Sequence, residues 1–308
     1  MTSQIGSVWA VIVYYKGQQW IQSCLASLRT SIIPVKTILV NNDHPSEMQV
    51  IRNEFPEVMI LQASENKGFG IANNLGITQA LQQGAKYVLL LNQDAWVFPE
   101  TLTYLTNQLN QNPSYGVVSP LHLTAQQDAL DYGFSTYLSP ERCQGYVSDV
   151  ILGITKPIYP LTFTNAAVWL VTRTCYEAIG GFDPVFFMYG EDMDWCYRLQ
   201  YHGFRMGVVP AAKACHVRNG QNAAKPAKRP FSASAGYLFT GYNLAFVKNI
   251  NWSVWRGLGM AGWNMISVLL KPQGYCYRLK AAGQLLRGIP GAIASRKECK
   301  ERKANFLN

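Results

Sequence analysis

Gly190-Glu191-Asp192-Met193-Asp194-Trp195 sets three carboxylates into what reads as the first turn of a helix, directly after the aromatic run Phe186-Phe187-Met188-Tyr189. Acids there complement the positive end of the helix dipole, worth about 0.3–1 kcal/mol each. Asp194 is also spaced to pair with Arg198 on the helix surface. Those roles account for Asp194 better than for its neighbours. Flanking apolar bulk can line a pocket and raise the pKa of Glu191 or Asp192, and an adjacent like charge pushes the same way while the dipole pulls down. A general base toward an alcohol needs reach to that hydroxyl above all, and both residues are candidates.

Asp94 follows the apolar run Val88-Leu89-Leu90-Leu91 and the pair Asn92-Gln93. A carboxylate held at a strand end can ligate a hard divalent cation that also bridges phosphate oxygens. A cap or turn role is the competing reading, since Pro99 soon opens a helix. The stretch Asn66-Lys67-Gly68-Phe69-Gly70-Ile71-Ala72-Asn73-Asn74-Leu75-Gly76 places glycines and asparagines where a helix begins, and backbone N–H groups exposed there favour an anion. It is no dinucleotide fingerprint, because Asn73 stands where the third glycine belongs. Of the four histidines, His44, His122 and His202 fall in a turn, after a strand and at a helix end; His216 is the candidate ligand.

Apolar runs alternating with amphipathic segments predict an α/β fold on a largely parallel sheet. Strands are expected at 8–14, 36–40, 58–61, 86–91, 115–120 and 167–171, with helices at 17–28, 71–82, 99–111 and 173–179. The stretch 121–160 reads as irregular, and a short strand at 205–209 should stop at Pro210. Ligand crevices of such sheets lie outside the carboxyl ends of the strands. Tyr14-Tyr15, Asn41-Asn42-Asp43 and Asn92-Gln93-Asp94 should therefore gather on one rim.

Together these segments resemble the inverting sugar-nucleotide transferases of glycosyltransferase family 2, and particularly its rhamnosyltransferase-like members that build bacterial surface polysaccharides. The resemblance covers roughly residues 8–216. It rests first on Gly180-Gly181-Phe182-Asp183-Pro184-Val185 through Arg198, similar to the family's acceptor-side motif, and then on Asn66 through Gly76. It implies a GT-A, Rossmann-like fold with one bound Mg²⁺ or Mn²⁺. By position, Asp94 would hold the metal on the donor diphosphate and His216 would complete that site. Asp192 would be the catalytic base and Glu191 would orient the acceptor. Tyr14, Asn41, Asn42, Asn66, Gly68, Asn74 and Asn92 would line the nucleotide. Asn92 departs from the family by replacing the first acid of its Asp-x-Asp motif, and Asn41 stands where a base-reading Asp is expected. Both dTDP- and UDP-linked donors thus stay open, with rhamnose or a similar sugar passing to a hydroxyl of a glycan or lipid-linked acceptor.

With 308 residues, 48% of them hydrophobic and 15% charged, the chain can bury a large core, which excludes disordered and fibrous classes. Seven scattered cysteines without a Cys-x-x-Cys argue against a disulfide framework or thiolate zinc site and suit a cytoplasmic chain. No secretory leader is read at the start. The positive charge is segregated: residues 213–308 hold 16 Lys and Arg against two acids. That third also carries Trp252, Trp255 and Trp263, a combination suited to an anionic membrane surface. Only 14 uncharged residues separate Arg256 from Lys271, short of the roughly 20 a spanning helix needs.

The expected organisation is a catalytic domain at 1–218, a basic linker at 219–230 and a membrane-associating helical region at 231–308. Helices there are read at 231–248, 252–270 and 275–287, with a frayed tail past Ser295. The protein is expected to sit peripherally on the inner face of the plasma membrane, without nucleic acid as partner. A nucleotidyltransferase is the rival enzyme, but Tyr15-Lys16-Gly17 is poor for the Gly-rich basic loop it needs. A nucleic-acid- or glycan-binding module using the basic tail is the rival without catalysis.

Overall fold

The computed structural model describes residues 7–217, 232–271 and 274–307. Its first half runs β1 (Val8–Tyr14), α1 (Gln18–Arg29), β2 (Val35–Asn41), α2 (Met48–Glu54), β3 (Met59–Gln62), α3 (Gly68–Gln82), β4 (Tyr87–Leu91), β5 (Ala95–Val97), α4 (Thr101–Gln111) and β6 (Tyr115–Leu123). Then follow α5 (Tyr132–Ser135), α6 (Tyr146–Ile151), β7 (Tyr159–Leu161), β8 (Val168–Thr172), α7 (Arg173–Ile179), α8 (Glu191–Tyr201) and β9 (Arg205–His216). The helices α9 (Ala233–Lys248), α10 (Val254–Leu269) and α11 (Tyr275–Glu298) complete the chain.

Among the described residues nine strands make one sheet in the order β3-β2-β1-β4-β8-β6-β9-β5, with β7 added on β9. Pairing is parallel through β3-β2-β1-β4 and again between β6 and β9. Between them β8 runs antiparallel to both neighbours, so the sheet is more mixed than the apolar runs suggest. Successive side chains of a strand point to opposite faces. Trp9 and Val11 accordingly join the core under α3 and α8, while Val8, Ala10 and Ile12 join the core under α1 and α4. Gly76 lets α3 sit tightly on the sheet, since a Cβ there would lie 2.3 Å from Val11.

Three departures from the expected elements bear on function. First, α3 begins at Gly68, so the Asn66-Lys67-Gly68 turn leads straight into the helix. Second, β9 does not stop at Pro210. Its register against β6 jumps from Val209 to Lys213, and a bulge tolerates the missing proline N–H. The strand runs on to His216, where it pairs antiparallel with β5, a three-residue strand too short to read in sequence. Third, the tail past Ser295 is not frayed. Helix α11 continues to Glu298 and the chain folds back, Asn305 accepting a hydrogen bond from the Gly181 amide at 2.8 Å.

Helices α9, α10 and α11 pack around Leu244, Ala245, Ala261, Leu285 and Ala292 and enclose Phe186. The expected linker at 219–230 lies outside the described residues. All seven cysteines are unpaired thiols. Among the described residues no helix is long and apolar enough to cross a membrane.

Candidate active site

Three strand ends are tied into one rim. The Asn42 amide donates to the Tyr14 carbonyl at 2.8 Å, the Tyr15 amide to Gln93 Oε1 at 3.0 Å, and the Lys16 amide to Asp43 Oδ2 at 3.0 Å. A cleft of about 440 Å³ opens on this rim, lined among others by Asn42, Asn66, Gly68, Asn92, Asp94, Met188 and Tyr189. Asn42 shapes one wall. Its Oδ1 accepts from the Lys67 amide at 2.9 Å and its Nδ2 donates to Asn66 Oδ1 at 2.9 Å, which also accepts from the Gly68 amide at 2.9 Å. Gly68 has φ of +78°, and a Cβ there would lie 2.0 Å from the Phe187 carbonyl oxygen. The turn is thereby seated directly on the loop that leads to Glu191 and Asp192.

The bulge in β9 and the short β5 bring Asp94 and His216 together, with Nε2 3.6 Å from Oδ1. His216 is buried and Asp94 is 23% exposed toward the cleft. Buried His216 Nδ1 has no hydrogen-bond partner among the described residues. One carboxylate and one imidazole suit a hard cation that takes its remaining oxygens from a diphosphate and water. Among the described residues no group of three or more His, Cys, Asp or Glu forms a complete cage.

Glu191 and Asp192 open α8 just past Met188 and Tyr189, and unlike those two they are not part of the cleft lining. Burial, and then the neighbouring Asp192 charge, push the Glu191 carboxyl well above its ordinary range. Its Oε2 is buried without a partner among the described residues. Burial also raises Asp192, to about 6, against the backbone amides of Met193, Asp192 and Ala166 that favour the anion. Desolvation therefore outweighs the helix end. The Ala166 contact ties this acid to the strand end that leads to Asp94, since the next carbonyl, Ala167, accepts from the Asn92 amide at 2.9 Å. Asp194 departs from its expected surface role: its 2.9 Å pair with Arg198 is fully buried.

Asn42, Asn66, Gly68, Asn92 and Asp94 thus share the cleft, while three other expected nucleotide contacts lie outside its lining. The Tyr14 hydroxyl donates to Glu47 at 3.1 Å in a neighbouring pocket. The Asn41 amide is spent on the His44 carbonyl, Gln62 and the Asp43 amide. Asn74 bonds the Phe182 backbone at both ends of its amide. Sequence reasoning missed Trp20, which reads as part of the apolar stripe of α1 yet lines the cleft. Gln93, expected on this rim, fastens it: its amide both accepts from and donates to the Tyr15 backbone.

A family model described as glycosyltransferase like family 2 matches residues 6–229. The chain is 23% identical over 269 residues to a low-salt glycan biosynthesis hexosyltransferase, Agl10, of Haloferax volcanii, covering 85% of this chain and 84% of that one. It is 24% identical over 246 residues to the N-acetylglucosaminyl-diphospho-decaprenol L-rhamnosyltransferase of Mycobacterium tuberculosis, covering 70% and 78%. The rhamnosyltransferase WbbL of Escherichia coli is also 24% identical, over 229 residues, covering 70% and 85%. Among solved structures, GalNAc-T7 with UDP, GalNAc and Mn²⁺ superposes with a TM-score of 0.63 at 12% identity, covering 98% of this chain and 56% of its own, so this chain spans just over half of it. Residues 1–349 of Staphylococcus aureus TarS superpose with a TM-score of 0.58 at 12% identity, covering 94% and 83%.

Proposed function

Since the chain belongs to glycosyltransferase family 2, with a sugar-transferring role in glycan synthesis and rhamnosyltransferase-like relatives, we propose that it is an inverting hexosyltransferase. Its donor is a dTDP- or UDP-linked sugar such as rhamnose, and its acceptor is a hydroxyl of a glycan or lipid-linked saccharide. The observation that carries this reading is the convergence on one cleft of Asp94, the Asn66–Gly68 turn and the Met188–Tyr189 wall that runs into Glu191 and Asp192.

Asp192, with a pKa of about 6, is ionised at neutral pH and takes the proton of the acceptor hydroxyl as its oxygen attacks the anomeric carbon. Glu191, whose carboxyl burial raises well above its ordinary range, orients the acceptor. The Asn66–Gly68 turn, whose Lys67 and Gly68 amides are taken by Asn42 and Asn66, lines the donor side of the cleft with the positive end of the α3 dipole behind it. Bound at Asp94 and His216, Mg²⁺ or Mn²⁺ would supply neutralisation of the departing diphosphate's charge. A retaining double displacement needs a second carboxylate facing the first, and Asp94 is committed to the metal.

In the same reading residues 1–218 are the catalytic domain and 231–308 seat the protein peripherally on the anionic inner face of the plasma membrane. The support is α10 with the Leu270 that caps it, which expose Trp255, Trp263, Ile266 and Leu270 beside Arg256 and Lys271. The decisive test is transfer from dTDP-rhamnose or a UDP-hexose to a prenyl-diphosphate saccharide, read by mass and by nucleoside diphosphate release. Absence of transfer and release with every donor, in a chain that binds those donors, would defeat the reading.

A further inference from the structure

Asp183 and Asp194 flank the segment that carries Phe186 through Asp192, and a single ammonium joins them. Lys248 Nζ of α9 lies 3.0 Å from Asp183 Oδ2 and 2.8 Å from Asp194 Oδ1, with Lys248 0% exposed. Arg198 closes the far side, donating from Nε to Asp194 Oδ2 at 2.9 Å and from Nη2 to the Gly181 carbonyl at 2.7 Å. Ser295 of α11 donates to Asp183, and Asp183 Oδ1 accepts from the Val185 amide at 2.8 Å. Two carboxylates face two cations away from water.

Buried charges cost several kcal/mol each unless fully paired, and removing one partner strands the others. Burial alone would raise Asp183 and lower Lys248. The pairing reverses both, holding Asp183 below the usual carboxylate range and Lys248 above its own. Parting the two ends of the segment would leave the ammonium with one acid. The C-terminal helices therefore constrain the loop at both of its ends. They reach it by a second route as well, since Gly241 of α9 meets the Tyr189 backbone so closely that a Cβ would lie 1.9 Å from its carbonyl oxygen.

We propose that Lys248 is a positioning residue for the transfer reaction, holding the ends of segment 183–194 so that Asp192 keeps its reach to the acceptor. This rests on Asp192 being the base. The C-terminal helices are then part of the catalytic machinery as well as its seat on the membrane.

The test compares wild type, Lys248→Met and the charge-balanced Lys248→Met/Asp183→Asn by kcat at saturating donor, by its pH profile, and by affinity for UDP or dTDP with Mn²⁺. Misplacing a reacting group by about 1 Å costs on the order of 10²-fold. A folded variant should lose at least about tenfold in kcat, shift the acid limb of the profile, and bind nucleoside diphosphate within about twofold of wild type. Wild-type kcat and profile in a folded variant overturn the proposal, as does a parallel loss of donor affinity. The neutral double variant carries the test if the single one fails to fold. Wild-type kcat in Asp192→Asn would instead overturn the base assignment itself.

Discussion

Asn74 and Phe182 grip each other through two hydrogen bonds: Asn74 Nδ2 donates to the Phe182 carbonyl at 2.7 Å, and Asn74 Oδ1 accepts from the Phe182 amide at 2.8 Å. The side chain is a crosspiece between the helix that starts at the Asn66–Gly68 turn and the loop that leads to the acids. Both Asn74 and Phe182 are buried, at 6% and 1% exposure. Asn74→Ala leaves a backbone donor and acceptor without partners, a loss of about 2–4 kcal/mol. Thermal unfolding should show a fall of several degrees; an unchanged Tm would mean water or a neighbour takes over both bonds.

With Asp192 as the base, rate and stability should follow opposite pH trends. A base with a pKa of about 6 gives a kcat/KM that climbs as pH rises through 6 and is flat above it. Its folded pKa lies above the ordinary carboxylate value, so the folded state holds this proton more tightly than the unfolded one. The stability contribution is therefore largest at low pH and declines as pH rises from about 4 to about 6. Asp192→Asn should lower kcat by at least about 10², yet raise Tm at pH 8 while leaving it unchanged near pH 4. Glu191→Gln should keep the same pH profile, since burial and backbone amides, and not Glu191, set the Asp192 shift. A Tm for Asp192→Asn below wild type at pH 8 would contradict the burial argument.

Much of this site was legible because strand ends and helix starts carry their own signals. The run Val88-Leu89-Leu90-Leu91 marks where the sheet ends and Asp94 begins, and Asp94 and the Asn66–Gly68 turn do share one cleft. What stayed hidden depends on contacts between distant segments. Pro210 is a strand stop by local rules, and only pairing with β6 and β5 carries β9 on to His216. The spacing of Asp194 and Arg198 fits a surface pair equally well; Lys248, brought in by α9, accompanies its burial. Asn41 and Asn74 have polar side chains suited to ligands, but tertiary packing spends them on the backbone.

Two protein ligands make a weak cation site until a diphosphate adds its oxygens. Mn²⁺ alone should leave Tm nearly unchanged, whereas Mn²⁺ with UDP or dTDP should raise it by mass action on the folded state. Asp94→Asn should abolish the cooperative rise, and His216→Ala should weaken it, while Asp192→Asn should retain it. This readout needs no turnover. A full Mn²⁺-dependent rise in Asp94→Asn would remove that residue from the metal site.

Helix α10 is built inside out for a helix in water. Its inward seam is Gly257 and Ala261, and a Cβ at Gly257 would lie 2.4 Å from the Phe246 carbonyl oxygen, so α9 and α10 approach too closely for large residues between them. The bulk points outward: Trp255 is 79% exposed, Trp263 69% and Leu270 78%. On the proposed reading this exposed apolar surface is a docking face, and the neighbouring cations Arg256 and Lys271 suit an anionic one. Trp255→Ser/Trp263→Ser should therefore reduce sedimentation with vesicles containing phosphatidylglycerol by at least about tenfold, because each indole offers about 150–250 Å² of burial. Tm should not move, since neither ring supports the core. Added salt should weaken wild-type binding through the cations and leave the indole contribution in place. Equal sedimentation of wild type and the double variant at low and high salt would show that α10 is not the seat.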